Sequence, residues 1–139
     1  SLGTPTTDDL SPWTGVGLSF WGPACVDASA YSGAEFTLGG DPGGCQVRFG
    51  FDYAEVDPSA DDPQQGLCSQ SSCYLPEFVL VAASGVTTVS FNRVPDFPGS
   101  SAGPVDSKKL TGVRWALYEQ PSSPAPCSGS LAISSVSFY

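Results

Sequence analysis

Apolar residues in this chain alternate with polar or small ones over short runs, and nowhere do they sustain the i, i+3, i+4, i+7 stripe of an amphipathic helix. A period of two puts one set of side chains on one face of a strand. The runs are Val16, Leu18, Phe20; Ala34, Phe36, Leu38; Val47, Phe49, Phe51, Tyr53; Val89, Phe91; and Val113, Trp115, Leu117, with Leu131, Ile133, Val136 and Phe138 closing the chain. Residues 78–82 form a continuous apolar segment, read as a strand buried on both faces or at its ends. Turn clusters separate the runs at intervals near the ~8–12 residues of a sandwich, the strongest being Gly39-Gly40-Asp41-Pro42-Gly43-Gly44. At least seven such runs and no helix predict an all-β fold, a two-sheet antiparallel β-sandwich of the jelly-roll kind. Residues 57–77, 95–109 and 121–129 read as loops.

The chain has 139 residues, which fits one domain. Residues 1–12 are rich in Pro, Thr and Asp and read as a linker, with the folded domain over 13–139. The chain opens on Ser1 without a charged, apolar-cored leader, and we expect a processed piece of a longer protein. There is no His, so an imidazole relay and imidazole metal ligation are excluded. Five basic against fourteen acidic residues, net charge −9, argue against nucleic acid as a partner. No apolar stretch reaches the ~20 residues that span a bilayer, so a membrane partner is not expected.

Five cysteines, few lysines and abundant Ser, Thr and Gly suit a secreted, extracellular protein with disulfides. Cys68 and Cys73 share one polar loop and are expected to pair, and an odd count leaves one cysteine over. No cofactor is indicated. The acidic loop Asp57, Asp61, Asp62 offers oxygen ligands for a structural calcium ion, against the plainer reading of a solvated charged loop.

Glycoside hydrolysis needs two carboxylates and no His, and Glu35, Asp52, Glu55, Glu77 and Glu119 are available. Glu35, Asp52 and Glu119 fall at solvent-facing strand positions, and nothing singles out a pair, so we expect no catalysis. The outward positions are more informative. They carry Arg48, Gly50 and Asp52 on one run, Ser90 and Asn92 on another, and Arg114, Ala116 and Tyr118 on a third. If these strands are neighbours, one sheet face presents guanidinium, carboxylate, amide and phenol groups among small residues. Such a face suits sugars, whose hydroxyls bond to planar polar groups and whose C–H faces pack on rings. The alternative is that Arg48–Asp52 and Arg114–Glu119 are ordinary surface ion pairs. Trp115 is in phase with the core. Trp21 falls at a strand end beside Gly22-Pro23, and Phe97 lies on a loop stiffened by Pro95 and Pro98, placed for either the core edge or a cleft rim.

The run Val26-Asp27-Ala28-Ser29-Ala30-Tyr31-Ser32-Gly33-Ala34-Glu35-Phe36 resembles a V-D-x-S-x-Y-x-G-I-x-F stretch typical of carbohydrate-binding modules similar to families 11 and 30, in the galactose-binding-like jelly-roll group. Residues 47–52, the Cys68–Cys73 loop, 86–91, 109–115 and 131–138 resemble later segments of that family in the same order. Ser134-Ser135 stands where the family often has two Asp, and Phe97 where it often has Trp. The resemblance implies a non-catalytic module binding plant cell-wall β-glucan (cellulose-like or mixed-linked chains), a monomer tethered to a secreted glycoside hydrolase. Arg48, Asp52, Arg114 and Tyr118 match its cleft strands, with Trp21, Asn92 and Phe97 as further candidates. Because first and last strands of such jelly rolls commonly lie side by side, it also implies a Cys25–Cys127 disulfide with Cys45 free. The alternatives are a small glycan-active enzyme and a structural spacer.

Overall fold

The computed structural model describes residues 16–59, 61, 64–69, 73–81, 84–100, 103–121 and 127–139, with side chains from residue 25 onward. The proposed linker 1–12 and Trp13 lie outside the described residues.

Seven strands and no helix are present among the described residues: β1 (Val16–Val26), β2 (Gly33–Gly39), β3 (Gln46–Tyr53), β4 (Glu77–Val79), β5 (Gly85–Ser90), β6 (Leu110–Tyr118) and β7 (Ala132–Phe138). They form two antiparallel sheets, a four-stranded one ordered β1-β6-β3-β4 and a three-stranded one ordered β5-β2-β7. The expected β-sandwich is therefore the fold.

The alternation specified the inner faces. Phe36, Leu38, Val47, Phe49, Phe51, Val89, Phe91, Val113, Trp115, Leu117 and Ile133 are all buried, and Phe138 packs against them half-buried. Leu18 and Phe20 belong to the stretch whose side chains are not described. Phe36, Phe49 and Trp115 meet with ring centroids 4.9–5.2 Å apart, stacked or edge to face. Such pairs add to the burial of large apolar area.

The apolar segment after Glu77 departs from expectation. It yields only a three-residue edge strand, and Val81 is 99% exposed. β3 pairs with it only over Arg48–Gly50, and on its other side the chain bridges it only at Glu77, opposite Phe97.

The glycine turn after β2 explains the long disulfide. Gly40, Gly43 and Gly44 have positive φ (94°, 59° and 83°), a backbone that L side chains rarely adopt. The turn runs beside the segment leading into β7, with the Ser130 amide bonded to the Asp41 carbonyl at 2.6 Å. Cys45 thereby meets Cys127, and Cys68 pairs with Cys73 as expected. The pairing Cys25–Cys127 is incorrect: β1 lies in the four-stranded sheet and β7 in the three-stranded one, so the first and last strands are not neighbours. Cys25 is the free thiol and is exposed. Two disulfides of this kind are compatible with an oxidising, extracellular setting.

Candidate functional site

The outward face of the four-stranded sheet carries the site. Residues directly opposite each other in an antiparallel pair point to the same face. Arg114 on β6, Gly50 on β3 and Glu77 on β4 form one such row. Asp52 and Gly112 form the next, and the backbone of Trp21 continues it on β1. Arg48 and Ala116 form a third, and Tyr118 opposes Gln46 in a fourth. The predicted residues Arg48, Asp52, Arg114 and Tyr118 thus share one layer and one face.

They do not lie open as a flat strip. Loop segments fold over them, and even the outward-facing Ala116 is buried. Leu75 sits directly on Gly50, where any Cβ would collide with it. The missing side chain at Gly50 also lets Arg114 reach toward Glu77, with Nη2 3.6 Å from Oε1.

Glu77 is the hub. Its Oε2 accepts from Arg48 Nη1 at 2.9 Å, and its Oε1 accepts from the Tyr118 hydroxyl at 2.8 Å. Arg48 Nε donates to Gln46 Oε1 at 2.7 Å. The Arg48 guanidinium lies between two rings, 3.7 Å from the Phe97 centroid and 4.0 Å from that of Tyr118. Phe97 reaches this position because its loop pairs with β4: the Glu77 and Phe97 amides each bond to the other's carbonyl, at 2.9 and 3.1 Å. Tyr118 is pushed up to about 12, first by burial and then by the bond it donates to Glu77. The surface pairs Arg48–Asp52 and Arg114–Glu119 are replaced by the two arginines' shared engagement with Glu77.

Asp52, expected to be solvated, is only 4% exposed. Burial raises its carboxyl to about 6, with Arg114 pulling it down and Asp57 adding a smaller upward push. Its Oδ2 has no hydrogen-bond partner.

Between the sheet face and the loops lies a cleft of about 560 Å³, lined by Asp52, Asp57, Asp61, Glu77, Arg114 and Tyr118, with Tyr74, Leu75 and Pro98 among the walls. Phe97 stands behind it, stacked on Arg48 and 36% exposed. Asn92 does not line the cleft. It is exposed in the turn after β5, because β5 belongs to the three-stranded sheet. The side chain of Trp21 lies outside the described residues. In the acidic loop, Asp57 is buried and Asp61 exposed, while Asp62 lies outside the described residues. Among the described residues no group of three or more His, Cys, Asp or Glu is arranged to hold a metal ion.

Reading outward positions alone passed over Glu77, Tyr74 and the role of Gln46. A signal for Glu77 was present: a carboxylate heading an apolar run must find partners when buried.

Comparison with family models, with curated proteins and with solved structures finds no match to this chain.

Proposed function

We propose that this chain is a non-catalytic carbohydrate-binding module that takes plant cell-wall β-glucan in the cleft of the four-stranded sheet, as a secreted accessory of a glycoside hydrolase. The observation that carries this reading is the convergence of Asp52, Glu77, Arg114, Tyr118 and Tyr74 on one cleft. Carboxylate and guanidinium groups offer planar, paired hydrogen bonding to hydroxyls, and phenol rings offer faces for sugar C–H groups. A volume near 560 Å³ falls within the range of small-ligand sites, about 300–1,000 Å³. The Arg48 guanidinium is neutralised by Glu77 and held between rings, so it works as the rigid back wall on which Tyr118 and Phe97 are mounted. Positioning of this sort lowers the entropy lost on binding.

The test is calorimetry and affinity electrophoresis with soluble mixed-linkage β-glucan and cello-oligosaccharides, with reducing-sugar release followed alongside. Saturable binding without product is expected. Tyr74→Ala removes a ring exposed at the cleft mouth and should weaken binding by about 1–3 kcal/mol, the range known for bases stacked on aromatic rings. Absence of binding across a panel of plant glucans overturns the reading, and release of reducing sugar replaces it with an enzyme.

A further inference from the structure

An interior stretch of a polysaccharide needs a groove that it can leave at both ends, whereas a chain terminus needs only one way in. On the outer face of the four-stranded sheet a ligand has two straight routes, across the strands or along them. Each is stopped by a wall.

The route across the strands follows the row Arg114, Gly50 and Glu77, from β6 over β3 to β4. Leu75 is seated on Gly50 in the middle of that row, and the Pro76 carbonyl lies 3.2 Å from where a β-carbon would stand. Leu75 also packs against the hydrophobic core. The strap that carries it is fastened from the far side. The Tyr74 amide donates to Ser100 Oγ at 2.6 Å, and the Ser100 amide donates to the Tyr74 carbonyl at 2.7 Å. Gly99 lies so close to the strap that a β-carbon there would strike the Tyr74 carbonyl and the Pro76 nitrogen.

The route along the strands passes Tyr118, Arg114 and Asp52 and meets the turn after β3. There the Tyr53 carbonyl accepts from the Val56 and Asp57 amides, at 2.9 and 3.1 Å, and Asp57 and Pro58 line the cleft as its end wall. The Leu67 amide donates to the Ala54 carbonyl at 2.7 Å and the Cys68 amide to the Asp57 carbonyl at 3.0 Å. The Cys68–Cys73 disulfide then ties this end wall to the strap. Main-chain bonds and a covalent crosslink thus make both walls part of the folded frame.

We propose that the cleft is a chain-end site: it admits the terminal sugars of a β-glucan, which stop against Leu75 above Gly50, while the turn at Asp57 and Pro58 closes the other route. This rests on the reading of the cleft as a glycan site and adds which part of the chain it takes. The size agrees, since a volume of about 560 Å³ suits one small ligand, roughly two or three sugar rings. A blind wall also recognises an end by exclusion: the next sugar of an interior stretch would have to occupy the space that Leu75 fills. Because the two ends of a glycan differ in shape, one pocket takes one end, and each chain carries one such end.

The experiment is isothermal calorimetry with a length ladder of cello-oligosaccharides and of mixed-linkage β-glucan oligosaccharides, and with size-fractionated mixed-linkage β-glucan chains about tenfold longer than the cleft admits. One protein should bind per chain at every length, with affinity per chain constant within about twofold once the cleft is full. Several proteins on each long chain, or a site filled only by long chains, overturns the chain-end reading and leaves glycan binding in place. No binding at any length overturns both this inference and the glycan reading beneath it. Along the ladder, affinity should stop rising at about three sugar units. Leu75→Ala clears the space above Gly50 and should move that limit outward by about one unit, with the longer oligosaccharide binding about threefold more tightly than it binds the unaltered chain. An unmoved limit overturns Leu75 as the stop. The count of proteins per chain is made on the unaltered protein and does not depend on that variant folding.

Discussion

Removing the guanidinium of Arg48 should cost far more than a surface charge, and the loss should largely vanish once Glu77 is neutralised as well. The Arg48 and Glu77 side chains are only 13% and 11% exposed, and their ion pair is 2.9 Å long. Breaking a buried pair from one side typically costs about 3–5 kcal/mol, because the other charge stays behind without its partner. Glu77 retains the Tyr118 hydroxyl at 2.8 Å and Arg114 at 3.6 Å, which places Arg48→Met near the bottom of that range, about 3 kcal/mol. Methionine preserves much of the packing between the Phe97 and Tyr118 rings, although the cation–π part, roughly 0.5–2 kcal/mol per ring, is lost. Glu77→Gln keeps an acceptor for Tyr118 but leaves the guanidinium with its two rings and Gln46, for a cost of about 2 kcal/mol. Independent effects would give about 5 kcal/mol for the double variant; the geometry predicts about 3, a coupling near 2 kcal/mol. Urea unfolding of the four proteins at neutral pH measures this, with unchanged m values showing that the same surface unfolds. A coupling under about 0.5 kcal/mol would refute the assignment of Arg48 and Glu77 as one electrostatic unit.

Two further outcomes are expected. The Cys45–Cys127 disulfide closes a separation of 82 residues and the Cys68–Cys73 disulfide one of 5, so replacing each pair by Ala should destabilise the chain by about 4.5 and about 2 kcal/mol on the loop-entropy model; guanidinium unfolding that reversed this order would contradict the topology-based ranking. Asp52 is raised in the folded state from 3.8 to about 6, so the native form binds more protons, and stability should fall as pH rises from about 4 through 6, by about 3 kcal/mol in all; Asp52→Asn should remove that slope in thermal unfolding followed across the range, and an unaltered slope would place the titration elsewhere.

The two faces of each strand could be read from the residues alone. Alternation is a local property of an extended chain: Val47, Phe49 and Phe51 must point away from Arg48, Gly50 and Asp52 wherever β3 goes. The same holds for Val113, Trp115 and Leu117 against Arg114 and Tyr118 on β6. The short loop around Cys68 and Cys73 was equally legible, since few residues separate the two thiols.

Which strands become neighbours was decided only by the closure of the sheets, because strand pairing joins residues far apart in sequence. Pairing β3 with both β6 and β4 turned Glu77 into the hub for two arginines and a tyrosine. Pairing β5 with β2 carried Asn92 away from the cleft, and pairing β2 with β7 brought Cys45 to Cys127. Burial of an outward face was likewise decided in three dimensions. Asp52 has the alternation of a solvated residue, yet the loops over the sheet remove its water and raise its carboxyl. The amino-acid pattern thus determined what each strand displays on either side, since that depends on neighbours two residues away. Only the tertiary structure determined what each display faces, since that depends on loops and partners arriving from distant parts of the chain.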